Sequence, residues 1–119
     1  MSLGNWMGNN VQIVWEIGNT WEELPDKRKD KTKGYPMVNR YELFVRVRDH
    51  PKLTEKIVKS VKYELHPTYK TPIHTVNEYP FSHKNIAWGV FYIPITITFK
   101  EWTKLKPIEH SYYLWFGGA

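Results

Sequence analysis

Two short stretches of this 119-residue chain hold the residues with chemical options: Leu65-His66-Pro67-Thr68-Tyr69 and Ala87-Trp88-Gly89. In the first, an imidazole stands two positions from a hydroxyl. No orienting carboxylate or oxyanion hole accompanies His66 and Thr68, so they do not amount to an activated nucleophile. The other histidines (50, 74, 83 and 110) are scattered, and none has the H-E-x-x-H spacing that puts two imidazoles on one helix face. Cysteine is absent, which removes cysteine-ligated metals and any disulfide framework. No G-x-S-x-G elbow is present. Gly89 stands alone and Gly117-Gly118 lies at the tail, so no glycine-rich loop cradles a phosphate. The chain reads as a non-enzyme with no metal and no cofactor.

Binding chemistry is better supplied. Tyr69 follows a strand end and Trp88 precedes a strand start, and loops at one end of an antiparallel sandwich cluster together. Two rings facing across a slot would hold a flat, polarizable group, with stacking adding roughly 0.5–1.5 kcal/mol beyond burial. A neutral amide suits such a slot if its N–H and C=O are paired, because an unpaired buried polar group costs ~1–3 kcal/mol. The Thr68 hydroxyl would accept from the amide N–H, with His66 orienting it. A backbone N–H of the Trp88-Gly89 turn would donate to the carbonyl, and Gly89 would let the backbone approach. The same two rings also suit plain rim or core packing, and composition alone does not separate the two readings.

The elements that must position these residues are strands. Val11 to Ile17 alternate and end at Gly18-Asn19, then residues 22–36 form a long charged loop. Tyr41, Leu43, Val45 and Val47 define a second strand, and Leu53–Ile57 has room for a helical turn. Val61, Tyr63 and Leu65 form a third strand that stops at His66-Pro67, where proline forces the preceding residue out of the helical region. A short strand at 73–76 comes next, then Tyr79-Pro80-Phe81 and a loop from Ser82 to Ala87. Strand 90–99 carries Phe91, Ile93, Ile95, Ile97 and Phe99 on one face, and Pro94 inside it implies an edge or a bulge. Trp102–Pro107 connects to a last strand at about 109–116. Seven or eight short strands with turn signals between them predict an all-β, immunoglobulin-like antiparallel sandwich. One domain over 11–116 is expected, with 1–10 and 117–119 as flexible ends.

Composition fits this outline. Eight tyrosines, six tryptophans and five phenylalanines exceed what one small core uses, so some rings should line a surface or groove. No apolar run approaches the ~20 residues of a membrane helix. Of the formal +5 charge, much sits in Lys27, Arg28, Lys29, Lys31 and Lys33. That run is either a solvated loop or a patch for a phosphate backbone.

The ordered set of motifs resembles the YEATS family, chromatin-associated readers of acylated lysine. The family's Leu-His-x-Ser/Thr-Phe/Tyr looks like Leu65–Tyr69. A downstream proline turn is similar to Tyr79-Pro80-Phe81, and Gly-Trp/Tyr-Gly/Ala-x-Phe is similar to Ala87-Trp88-Gly89-Val90-Phe91. The last family strand, His-x-Leu-x-Leu, looks like His110–Leu114, and an early His-x-Trp corresponds to Asn39-Arg40-Tyr41. The resemblance spans about residues 11–116. It implies a nuclear reader of acetyl- or crotonyl-lysine on histone tails, within a chromatin-modifying or remodelling complex and away from membranes. Tyr69 and Trp88 would be the walls, Thr68 and His66 the amide partners, and the backbone around Ala87, Trp88 and Gly89 the carbonyl partner. Phe91 matches a family aromatic near the pocket, but its place in the alternating strand reads as core. The departures are Ala87 for a glycine, Asn39 for a histidine and Tyr41 for a tryptophan. They bear on ligand preference more than on fold.

A domain of this charge is not steered toward a basic tail, so the run from Lys27 to Lys33 either lies far from the pocket or touches nucleosomal DNA while the pocket reads the tail, the second reading being slightly favoured. The competing readings are a nucleic-acid-binding sandwich and a protein scaffold whose pocket is degenerate. Cutting either Tyr69 or Trp88 to alanine is expected to remove binding while sparing the fold.

Overall fold

Alternation dominates the architecture. In the computed structural model, which describes residues 2–6, 9–25 and 37–117, the strands are β1 (Ser2–Trp6), β2 (Asn9–Gln12), β3 (Trp15–Pro25), β4 (Met37–Val47), β5 (Val58–Glu64), β6 (Ile73–Val76), β7 (His83–Ala87), β8 (Tyr92–Phe99) and β9 (Ile108–Tyr113). One helix, α1 (Pro51–Ile57), and a 3-10 turn at Glu101–Thr103 complete the described elements. All described strand pairs are antiparallel. β3-β4-β7 form one sheet, β6-β5-β8-β9 another, and β1 pairs with β2.

The two larger sheets make the expected immunoglobulin-like sandwich around a single core. Tyr41, Leu43, Val45 and Val47 of β4 point inward, as do Ile93, Ile95, Ile97 and Phe99 of β8. A two-residue side-chain period with apolar residues at every second position can bury only one face, and these strands bury it against each other. In β5 the ladder shifts between Val58 and Ser60, so the buried set steps from Val58 to Val61 and then resumes at Tyr63. The helical turn expected at Leu53–Ile57 is α1, started by Pro51. It buries Ile57 and holds the Val47 N–H on Thr54 Oγ1 at 2.9 Å.

Four expectations change. Ser82–Ala87, read as a loop, contains β7, which pairs with β4 from Leu43↔His83 to Asn39↔Ala87. Its inward positions include His83 and Asn85, and two polar residues there mask the alternation. The loop assigned to 22–36 is shorter at its start, because β3 runs on to Pro25 opposite Met37. The first strand breaks at Ile13-Val14 into β2 and β3, with Ile13 turned into the core, and β2 pairs back on β1. Pro94 lies in a strand paired on both sides, yet the β5 ladder ends at Ile95. Pro94 therefore faces only β9, across from Ser111, and its missing donor interrupts nothing on the β5 side.

The last strand is also shorter than expected, and residues 114–117 close the sandwich. After Tyr113 the chain crosses to β3, where the Asn19 side chain acts as a strand partner. Its Oδ1 accepts from the Tyr112 hydroxyl at 2.5 Å and the Trp115 N–H at 3.1 Å, and its Nδ2 donates to the Trp115 carbonyl at 2.7 Å. Trp115 then meets Trp21 edge-on at 4.8 Å. Gly117 sits at φ +80, and a Cβ there would come within 2.8 Å of the Trp21 ring, so only glycine fits this turn. Asn19→Ala should lower the unfolding free energy by ~1–3 kcal/mol, read from the denaturant midpoint at unchanged slope. A loss below ~0.5 kcal/mol would mean that ring packing alone holds the crossing segment.

Candidate functional site

A cavity at one end of the sandwich gathers the residues singled out from the sequence. His66, Thr68, Tyr69, Ala87, Trp88 and Gly89 all line a space of about 560 Å³. Its parts come from the β5–β6 loop and the β7–β8 bend, and so from both sheets.

The loop is built by its own sequence. Leu65 N–H donates to the Pro72 carbonyl at 2.7 Å, clipping residues 66–71 at the base, and Tyr69 N–H donates to the His66 carbonyl at 3.0 Å. Pro67 occupies the second position of that four-residue turn, where its fixed φ is favoured. The turn also fixes the chemistry of its polar pair. Thr68 N–H points at His66 Nδ1 at 3.2 Å, which makes Nδ1 the lone-pair nitrogen. Thr68 Oγ1, 2.9 Å from the same atom, must then donate its proton to it. The hydroxyl is left with its lone pairs and no proton to offer, which makes Thr68 an acceptor toward the cavity. The His66 ring in turn rests edge-on against Phe91, with centroids 5.7 Å apart.

Tyr69 is held as firmly. Its hydroxyl donates to the Ile86 carbonyl at 2.5 Å and lies 3.1 Å from the Tyr41 hydroxyl, while its ring packs on Phe91 at 5.7 Å. Burial pushes the Tyr69 and Tyr41 phenols up, and for Tyr41 the bond to Tyr69 adds to the effect. Both stay protonated near neutral pH. Trp88, in contrast, is 47% exposed, a large apolar ring left toward solvent at the cavity mouth. Ala87 is buried opposite Asn39, and a side chain at Gly89 would meet no atom within 4 Å, so that side of the bend is open.

Five lining residues were not among those singled out: Lys70, Asn85, Ile86, Val90 and Phe91. Phe91, expected in the core, is half-buried and backs both His66 and Tyr69. Its alternation with Ile93 pointed inward, but the strand starts only at Tyr92, so Phe91 belongs to the cavity end. Ile86 acts through its carbonyl, which leaves no mark on side-chain pattern. Among the described residues, Lys70 is the one formally charged group lining the cavity, and no acid lines it. The run Lys27, Arg28, Lys29, Lys31 and Lys33 lies outside the described residues. No group of three metal-ligating side chains occurs among the described residues.

Behind the cavity, Asn85 links the Tyr69 anchor to a pair of histidines. Ile86 N–H donates to Asn85 Oδ1 at 2.8 Å, and Asn85 Nδ2 lies 3.2 Å from His83 Nε2. The His83 ring stacks on His74 at 4.1 Å, joining the edges of the two sheets. Such near-parallel rings direct their in-plane lone pairs side by side, so they do not converge on one ion.

A β-sandwich with an aromatic, hydroxyl-bearing cleft at one end is a ligand-binding module in form. The YEATS family model matches residues 36–118, more than half of the chain, and the chain belongs to the YEATS family. Among curated proteins it is similar to the "Protein AF-9 homolog" of Mycosarcoma maydis, 35% identical over 57 residues, which are 48% of this chain and 13% of that protein. It is also similar to "Transcription initiation factor TFIID subunit 14" of Schizosaccharomyces pombe, 38% identical over 61 residues, 50% of this chain and 24% of that protein. The matched stretch thus spans about a quarter or less of these relatives' length. Among solved structures, the Yaf9 YEATS domain bound to acetylated histone H3 superposes with a TM-score of 0.68 at 22% identity, covering 94% of this chain and 80% of that one. The yeast AF-9 homolog protein Yaf9 gives 0.69 at 22% identity over 91% of this chain and 73% of that one. A Yaf9 YEATS domain recognising a succinylated histone H3 peptide gives 0.68 at 22% identity over 92% of this chain and 80% of that one.

The His83–His74 stack generates a pH dependence. Burial, and then the adjacent His74, push His83 from 6.5 down to about 4. Between those values the unfolded chain takes up a proton that the fold does not, so stability falls as pH drops from about 6.5 to about 4 and is unaffected above that window. His83→Gln should flatten the decline of Tm between pH 7 and pH 4.5, measured by calorimetry against the wild type. An identical slope in both would remove His83 from the acid response.

Proposed function

We propose that this domain is a non-catalytic reader of acylated lysine on histone tails, acetyl and crotonyl groups included, acting in the nucleus within a chromatin-modifying or remodelling complex. The observation that carries the reading is the Thr68 hydroxyl. Its proton is committed to His66, so it faces an aromatic cavity as an acceptor suited to an amide N–H. Tyr69 and Trp88 line the same space and would flank the planar acyl-amide, and a backbone N–H of the 88–90 bend would take its carbonyl. Membership of the YEATS family supports this, as do relatives described as bound to acetylated and succinylated histone H3 and as a TFIID subunit.

Discrimination against free lysine rests on charge. An ammonium would shed water to enter a cavity where the described lining holds a lysine and no acid, with one side-chain hydroxyl placed to accept its protons. Cation–π attraction of roughly 0.5–2 kcal/mol offsets part of that cost, so preference for the acylated form is strong without being absolute. Acylation removes the charge and supplies a donor and an acceptor in one plane.

The test is an array of histone peptides carrying acetyl-, crotonyl- and unmodified lysine, read with two variants. Trp88→Ala, at an exposed ring, should abolish detectable binding and leave Tm nearly unchanged. Thr68→Val keeps the shape, loses the acceptor and should weaken binding ~10-fold. Tyr69→Ala is a poorer choice than the sequence implied, since Tyr69 anchors to Ile86 and Tyr41 and its loss would disturb the fold. Normal binding by both variants would dismiss this cavity. Failure of the intact wild type to bind any acylated peptide would favour the scaffold reading.

A DNA contact through Lys27, Arg28, Lys29, Lys31 and Lys33 is a second part of the proposal. The flanks of that run, Pro25 and Met37, pair at the end of the ladder that also places Asn39 against Ala87, which brings both flanks to the cavity end. Replacing the five cations by serine should reduce the salt slope of DNA binding by up to roughly 4–5 units and leave acyl-peptide affinity in place. An unchanged slope would rule out this contact.

A further inference from the structure

Resting on the reading of the cavity as a ligand slot, we infer that the hydroxyl of Tyr41, which does not itself line the cavity, is a positioning group that fixes the Tyr69 wall and thereby sets the width of acyl group the slot accepts. Tyr41 is 1% exposed in β4, paired with Trp21 of β3 on one side and Asn85 of β7 on the other, its ring 6.2 Å from that of Phe116. From there its Oη reaches 3.1 Å to Tyr69 Oη. A phenol carries one proton, and that of Tyr69 goes to the Ile86 carbonyl 2.5 Å away. Tyr41 is therefore the donor and Tyr69 the acceptor.

The Tyr69 oxygen is then held from two strands at once, β4 through a side chain and β7 through the backbone. Both bonds act at the tip of the ring, on its long axis. They leave the ring free to spin about that axis, but they oppose the swing about χ1 that would move the wall. Phe91 blocks part of the same swing from one face, at 5.7 Å. With the ladder fixing Tyr41 and Ile86, the wall stays where the two sheets put it. A flat acyl group gains from a slot already set to its thickness, because the ordering of the ring is complete before binding. A branched or bulky acyl group is excluded by the same rigidity.

Tyr41→Phe keeps the packed ring and removes one oxygen. Tyr69 still donates to Ile86, so no buried donor is orphaned and the fold should survive. In the free protein, the three-bond Hα–Hβ couplings of Tyr69 should change from those of one χ1 rotamer to an average. Affinity for a crotonyl- or acetyl-lysine peptide should fall roughly three- to tenfold, while a branched acyl such as isobutyryl loses less, so the ratio between them shifts toward the bulky ligand. In a Tyr69→Phe background the effect should vanish or change sign, since the Tyr41 hydroxyl then has no partner and removing it costs nothing. Unchanged couplings in Tyr41→Phe, or an equal loss of affinity in the Tyr69→Phe background, would overturn the inference. If the wild type binds no acylated peptide, the proposed function fails, and the couplings by themselves still decide whether Tyr41 holds the wall.

Discussion

The bond from the Tyr69 hydroxyl to the Ile86 carbonyl at 2.5 Å ties the two halves of the cavity together, and the Tyr41 hydroxyl adds a second link to the same oxygen at 3.1 Å. Tyr69 belongs to the loop between β5 and β6, in the four-stranded sheet, and Ile86 belongs to β7, in the three-stranded sheet. Loops at the end of a sandwich are the least constrained parts of such a fold. Without a bond across the gap, the turn carrying His66 and Thr68 would be positioned by one sheet, and the bend carrying Trp88 and Gly89 by the other. With it, a polar group in one loop and a ring in the other share a frame. The bond is strong for a neutral pair because it is short and half-buried, where water competes poorly.

The treatment of the aromatic residues divides along the same line. Tyr41 and Tyr63 are buried with their hydroxyls bonded, to Tyr69 and to the Phe81 carbonyl respectively. Each contributes apolar area and avoids an unpaired polar atom. Trp88 is only about half buried, at 47% exposure, where the chain bends away from β7. Exposed rings occur elsewhere too, as the Tyr92–Tyr113 pair at 4.7 Å on the outer face of β8 and β9, so exposure alone does not mark a binding residue. Trp88 differs from that pair in bordering a concavity that Thr68 also lines. A flat outer sheet face offers none.

The elements legible in the sequence were those with a strict two-residue apolar period. β4 and β8 alternate over long stretches, and the structure buries those residues. β7 was not legible, because strand assignment there depends on pairing with β4, and His83 and Asn85 occupy the inward positions for reasons outside any hydrophobic pattern. The cavity was legible where side chains carry it, at His66, Thr68, Tyr69 and Trp88. It was hidden where backbone carries it, at Ile86, or where register decides, at Asn85 and Tyr41. Phe91 shows the limit of periodicity: its parity with Ile93 is correct, yet the core ends one step before it. Parity specifies a face and says nothing about where along the strand the face stops being covered.

One departure from the pattern of the resemblance, tyrosine at 41, constrains what can stand at position 69. At 1% exposure its oxygen needs a partner, since an unmade hydrogen bond there costs ~1–3 kcal/mol. Phenylalanine at 69 would leave it without one, whereas tyrosine supplies an acceptor that is itself fixed by donating to Ile86. The Tyr41–Tyr69 combination is thus a joint solution, in which the buried Tyr41 oxygen finds an acceptor that is itself fixed by its bond to Ile86.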